Sequence, residues 1–201
     1  MIDVNAPALQ ERVKRILMDP KGEWPVIAAE ATTTEKLYSS YIVPLAAIPV
    51  VANFIGSTII GVTLPFIGTY RVGIFRGLVA AFITYVVSLV MIYVAAMVVD
   101  KLAPKFDSTP NQIQALKLVA YSYTASWLAG IFMIIPVLSI LSIVGLYSIY
   151  LFYVGLPVMM KTPEAKVVPY MVVSALVIIV LTIVAALLTA GIAGVPGAVA
   201  Y

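Results

Sequence analysis

Within one apolar segment, "VAYSYTASWLAGIFMIIP" from Val119 to Pro136, six neighbouring side chains could do chemistry: Tyr121, Ser122, Tyr123, Thr124, Ser126 and Trp127. That chemistry is hydrogen bonding, since hydroxyls donate and accept and an indole N–H donates. On a helix, Tyr123 and Trp127 stack at i and i+4, and Ser122 and Ser126 form a second row. Tyr147, Tyr150 and Tyr153 follow at intervals of three and make a slanted stripe. An antiparallel neighbour would bring Tyr150 and Tyr153 toward the depth of Tyr121 and Trp127. Two readings compete. The groups form an interhelical seam, or they line a crevice for a lipid or other ligand.

Two further sites carry polar groups in apolar surroundings. Asn53, Ser57 and Thr58 follow Pro49, which deprives a helical carbonyl of its partner. They can satisfy the freed group, or the kinked helix can expose it to a ligand. Arg76 stands five residues beyond Arg71, roughly 7 Å further along a helix. It can snorkel to the interface or pair with a lipid phosphate or substrate anion. Around it, "GIFRG" is a GxxxG that allows close helix approach.

What is missing narrows the function further. The chain has no histidine and no cysteine, which removes the commonest general base, the thiolate nucleophile and the usual zinc and haem ligands. No acidic residue occurs between Glu35 and Asp100 or between Asp107 and Glu164. A proton-coupled pump relying on buried carboxylates is therefore disfavoured. No catalytic residue, metal site or cofactor is expected. The net charge of +3 is small and unevenly spread, and it does not point to nucleic acid.

The elements that must position these groups are membrane spans. Of 201 residues, 63% are hydrophobic and 10% charged, and the mean hydropathy is +1.09. A soluble domain carries about a quarter charged residues. Spans of about 20 apolar residues fit 38–60, 72–99, 113–135, 137–160 and 168–190. Pro136 breaks the continuous stretch from Ile113 to Met160 into a tight, chargeless hairpin. Five transmembrane helices in an all-α bundle are thus expected at 37–190, between a segment at 1–36 and a short tail at 191–201.

In the first segment, Leu9, Val13, Ile16 and Leu17 share one helical face. Asn5 is a candidate N-cap, and "DPKGEWP" is read as ending the helix. Such an amphipathic helix either lies on the membrane, with Trp24 near headgroup level, or packs on the end of the bundle. Arg12, Lys14, Arg15, Trp24, Lys161 and Lys166 are the candidate membrane-surface contacts. Ten basic residues (Arg12, Lys14, Arg15, Lys21, Lys36, Lys101, Lys105, Lys117, Lys161 and Lys166) fall on one side of the spans, and Arg71 and Arg76 on the other. Lysine and arginine favour the cytoplasmic side, so the N-terminus faces the cytoplasm and the C-terminus faces out.

Three stretches together resemble the bacterial branch of the Yip family, membrane proteins related to the eukaryotic Ypt/Rab-interacting proteins. They are "VKRILMDPKGEWPVIAAE", "ALKLVAYSYTASWLAGIF" and "GLYSIYLFYVGLPVMMKTPEAK". The resemblance implies five spans, a cytoplasmic N-terminus and a bacterial inner membrane. The family pattern has proline near Ala125, so its absence implies an unkinked third span. In eukaryotes such proteins are associated with prenylated GTPases and early secretory membranes, a partner that does not carry over to a bacterium. The resemblance transfers no catalytic residue. The expectation is a non-enzymatic membrane protein that organises lipid or binds partners: membrane lipids, a homo-oligomer or another membrane protein. The alternative is a small transporter, channel or lipid-translocating protein, with a crevice between the first, third and fourth spans.

Overall fold

The computed structural model describes residues 6–64 and 68–193; Asn5 and the tail at 194–201 lie outside them. Among the described residues the regular structure is helical apart from one short antiparallel hairpin, β1 (Val62–Leu64) with β2 (Gly68–Tyr70). Four helical stretches among the described residues are long and apolar enough to cross a membrane: Thr34–Ile60, Ile74–Phe106, Pro136–Met160 and Glu164–Leu187. This is an all-α polytopic membrane protein.

The N-terminal segment forms two helices rather than one, α1 (Ala6–Met18) and α2 (Pro20–Ala29). Asp-Pro does stop α1, but the same pair starts α2. The Asp19 carboxylate accepts the Gly22 N–H at 3.1 Å, and Pro20 takes the first helical position, where its missing N–H costs nothing. "DPKGEWP" is therefore a helix start as well as a stop.

The first long element is α3 (Thr34–Leu37), a π-helical turn at Tyr38–Ile42, α4 (Val43–Phe54) and a second π turn at Ile55–Ile60. Next comes α5 (Ile74–Leu102), continued by a 3-10 turn at Ala103–Phe106. The expected third span at 113–135 is not one helix. It is α6 (Gln112–Ser122), α7 (Thr124–Ala129) and a 3-10 turn at Gly130–Ile134. The break at Tyr123 (φ −69°, ψ −9°) occurs without a proline. Thr124 Oγ1 bonds the Tyr121 carbonyl at 2.7 Å and pairs with the Tyr41 hydroxyl at 2.7 Å. A threonine hydroxyl turned back on its own helix competes with the backbone ladder and bends it. The unkinked span expected from Ala125 is thereby corrected.

At Ile135 the backbone extends (φ −109°, ψ 107°), as the residue before a proline prefers, and the chain turns back. The return starts as a 3-10 helix, Pro136–Leu146, and continues as α8 (Tyr147–Met160). A 3-10 run of this length is uncommon. Its sequence explains it: Ser139, Ser142, Gly145 and Ser148 recur every third residue. At three residues per turn, side chains at that interval eclipse one another. The small residues thus form a straight strip on which α7 lies. The last helix is α9 (Glu164–Ala193), packed mainly on α5 and α8.

Contacts fix the relative directions. Tyr41 meets Thr124 and Pro49 meets Gly130, so α4 and the α6–α7 segment run in parallel. Tyr38 donates to the Leu89 carbonyl and Tyr85 to that of Val43, which sets α5 antiparallel to α4. The buried core lies toward the end where α6 and α9 begin, and includes Ile16, Trp24, Ile27, Ala96, Val99, Leu118 and Leu156. Exposed apolar side chains run along α5 from Phe75 to Tyr93, about 27 Å at about 1.5 Å per residue. Along α9 they run from Val168 to Leu187. That height suits a hydrocarbon layer of roughly 30 Å. Beyond it, protein covers α5, where Ala95, Ala96 and Val99 are buried.

Candidate functional site: a serine-lined crevice

α1 and α2 pack into the bundle instead of floating beside it. Trp24 is fully buried, edge-on to Tyr121 with ring centroids 6.4 Å apart, and it covers Gly155 of α8. Of the two placements expected for this segment, the structure has the one packed on the bundle: apolar α6 and α8 offer the Trp24 indole a dry surface, and Gly155 leaves room for it. Arg12 is turned inward as well. It pairs with Glu23 and Glu30, and its guanidinium lies 6.0 Å from the centre of the Tyr121 ring. Burial opposes the Arg12 charge. The hydrogen bond and field of Glu30, with the fields of Tyr121 and Glu23, outweigh it and hold the pKa above its ordinary value. Lys14 and Arg15 stay exposed, Arg15 pairing with Glu11. Lys161 is exposed at the end of α8, and Lys166 stands 3.9 Å from Asp107.

Lys117, counted above only for its charge, holds this arrangement together. Its buried Nζ donates to the carbonyls of Ile27 (2.8 Å) and Glu30 (2.5 Å), and Gln114 Nε2 donates to that of Ala28 (3.0 Å). These are the orphan carbonyls at the end of α2, where a cation is also favoured by the helix dipole. The signal in the sequence is Gln114, Lys117 and Tyr121 at helical spacing on one face of α6.

The hydroxyls divide between seam and cavity. Ser126 Oγ donates to the Gly145 carbonyl at 3.0 Å and pairs with Ser148 Oγ at 2.8 Å. Ser142 Oγ donates to the Ala129 carbonyl at 3.3 Å. These bonds join α7 to the serine strip, leaving little room at Gly145, where a Cβ would lie 3.1 Å from Ser126 Cα. The tyrosine stripe points elsewhere. Tyr147 donates to the Leu17 carbonyl at 3.0 Å, tying α8 to α1, whereas Tyr150 and Tyr153 are exposed. They do not meet Tyr121 or Trp127, because α8 turns its small residues, not its tyrosines, toward α6 and α7. Trp127 is buried, with its ring centre 6.0 Å from that of Tyr123.

Asn53 is exposed, and Ser57 Oγ donates to its carbonyl at 2.7 Å. Arg76 is the third residue of α5 and exposed, so it stands at the helix end rather than within the span. Gly77 packs closely on Phe54 and Thr58, while Gly73 faces open space, so only half of the GxxxG is a packing site.

A cavity of about 750 Å³ lies between the α6–α7 segment, the 3-10 helix with α8, and α9. Its wall includes Ser122, Ser126, Ser142, Ser148 and Ser174 among apolar side chains, and it contains no charged residue. From the first span only Pro49 contributes. The crevice expected between the first, third and fourth spans is thus displaced toward α9, because Pro49 against Gly130 closes the gap on α4. A second cavity of about 360 Å³ lies between α5, α7 and α9, and Tyr123 and Ile178 line both. Among the described residues no cluster of three or more His, Cys, Asp or Glu could hold a metal ion.

Residues 14–187 match the Yip1 domain. The chain is 29% identical, over 118 residues, to inner membrane protein YohC of Escherichia coli strain K12 and to that of strain O6:H1 CFT073. The aligned region is 59% of this chain and 60% of each relative, so the chain spans less than two thirds of their length. No solved structure matches.

Proposed function

This chain belongs to the Yip1 family, and on that premise we propose that it is a non-enzymatic membrane protein that holds and organises lipid. The name of its Escherichia coli relatives supports placing it in a bacterial inner membrane. The excess of basic residues supports a cytoplasmic N-terminus, an outward C-terminus and five crossings, the third made by the broken α6–α7 segment. The exposed Lys14, Arg15, Lys161 and Lys166 would meet anionic headgroups on that side.

One observation carries the reading. The cavity of about 750 Å³ among the spanning segments is apolar, uncharged and walled in part by serines, and it opens at the height of the exposed apolar belt. A site of roughly 300–1,000 Å³ with few polar groups is the usual form of a small-molecule site. Its walls hold no carboxylate, lysine or histidine to act as acid, base or nucleophile.

Native mass spectrometry of protein extracted gently with its surrounding lipid tests this. A chain carrying one defined lipid is the expected result. A stoichiometric protein partner with no retained lipid would favour an adaptor role instead. The second cavity, reached past Tyr123 and Ile178, favours a second reading, lipid translocation. Flux of a labelled lipid in liposomes containing the protein separates that reading from static binding.

A further inference from the structure

The five serines of the larger cavity are not equivalent. Ser126, Ser142 and Ser148 are bonded within the seam. Ser122 and Ser174 are buried, at 2% and 0% exposure, and neither hydroxyl has a hydrogen-bond partner. A hydroxyl on a helix ordinarily turns to the carbonyl one turn back. Thr182 does this in the same α9, donating to the Ile178 carbonyl at 2.8 Å, and Ser57 does it beyond α4. A buried hydroxyl left without a partner is costly. Both hydroxyls belong to residues of one cavity wall, so a small turn of each side chain offers its donor to a molecule there that brings an acceptor.

The walls specify that molecule. With no basic side chain lining the cavity, a carboxylate or phosphate is not accommodated there. The acceptor must be uncharged and attached to an apolar body. The cavity also has an apolar mouth. Ile143, Leu146 and Ile149 on one wall, and Val172, Leu176 and Ile179 on the other, are exposed while lining it. Entry is from the hydrocarbon layer.

Position supplies the direction. Ser122 and Ser174 lie in the earlier part of the wall on their helices: only Val119 precedes the one and Met171 and Val172 the other, while Gly130 and Met133, and Ile178 and Ile179, lie beyond them. The unpaired hydroxyls therefore sit at the end nearer α1 and α2, and the apolar depth extends away from them. Tyr123, at the break between α6 and α7, and Ile178 separate this space from the second cavity of about 360 Å³.

We propose that the two cavities form one site for a diacyl glycerolipid from the leaflet on the side of the N-terminus. One acyl chain fills the larger cavity, with its ester carbonyl accepting from Ser122 and Ser174. The other chain crosses the Tyr123–Ile178 partition into the smaller one. This rests on the lipid-holding reading above and adds the lipid class, the contacts and the direction.

The test uses full-length protein, delipidated and then returned to nanodiscs, with ester-linked dioleoyl phosphatidylethanolamine and its ether-linked dialkyl analogue as competing probes. The ether analogue lacks the carbonyl acceptors. The wild type should retain the ester lipid about five- to tenfold better, as two modest hydrogen bonds imply. In Ser122→Ala/Ser174→Ala that preference should vanish while total lipid retention persists. Ala175→Phe, which crowds the mouth, should lose both probes yet keep its helical circular dichroism and monodispersity. The single-chain lyso lipid should bind more weakly than either probe.

Equal retention of ester and ether by the wild type overturns the carbonyl contact, as does a preference that survives the double substitution. Lipid retained by Ala175→Phe as by the wild type places the site elsewhere and leaves the lipid-holding reading standing. No lipid retained by the wild type refutes both. Lyso lipid binding equal to that of the diacyl probe refutes the two-chain arrangement.

Discussion

The indole of Trp24 lies directly against the bare backbone of Gly155: a Cβ added there would stand 2.5 Å from Trp24 Cε2 and 2.7 Å from Leu118 Cδ1. A segment that the sequence leaves free to rest on the membrane is thereby keyed into the bundle. In a helix exposed at this face, Gly155→Ala would stabilise by about 0.5–1 kcal/mol. With Trp24 in place it should instead destabilise by about 1–3 kcal/mol, through overpacking. Unfolding of the variant in mild detergent reads the sign directly, and a gain in stability contradicts the packing described.

Burial of Trp24 has a spectroscopic consequence. The chain has two tryptophans, so Trp127→Phe leaves Trp24 as the only indole reporter. Its emission should be blue-shifted and insensitive both to iodide and to lipids brominated near the headgroup. Quenching by both agents would place Trp24 at the interface.

Lys117 and Arg12 should act as the clasp of α2. Lys117→Met keeps the length but leaves the carbonyls of Ile27 and Glu30 without their donor, at a cost of about 1–3 kcal/mol. Arg12→Met strands the buried Glu23, and partial exposure of the pair reduces the loss to about 2 kcal/mol. Arg12→Met/Glu23→Gln should recover part of that loss. Chemical unfolding of the four proteins forms the cycle, and simple additivity would show that the pair is not coupled.

The tyrosine stripe should divide sharply. Tyr147→Phe removes the bond to the Leu17 carbonyl and should cost about 0.5–1.5 kcal/mol, with faster tryptic cleavage at Lys21 as α1 and α2 loosen. Tyr150→Phe, at an exposed ring, should stay within about 0.5 kcal/mol of wild type. Equal cleavage rates for both variants would argue against the α1–α8 tie.

These contrasts show what was legible in the sequence. Four of the expected apolar spans and the turn at Pro136 follow from hydropathy and from proline's lost donor, and they are present. The second N-terminal helix was hidden because Asp19-Pro20 signals a stop and a start with the same residues. Trp24 is an interfacial residue by type, and only the tertiary neighbour Gly155 makes it a core residue. The serine strip was legible but unread: a period of three from Ser139 to Ser148 fits a 3-10 helix, whereas the expectation was an α-helix. The orphan hydroxyls of Ser122 and Ser174 could not be read, because their isolation depends on a gap between helices distant in sequence.

The most direct test of the lipid-holding account is photolabelling in the membrane with a phosphatidylethanolamine carrying a diazirine in its acyl chain, followed by peptide mapping. The account predicts labels concentrated at the cavity wall, on 119–149 and 171–179, well above those on the equally apolar outer face of α5 at Phe75, Phe82 and Val90. Labels spread in proportion to exposed apolar surface would contradict it, for the lipid would then be solvent to this protein and not its ligand.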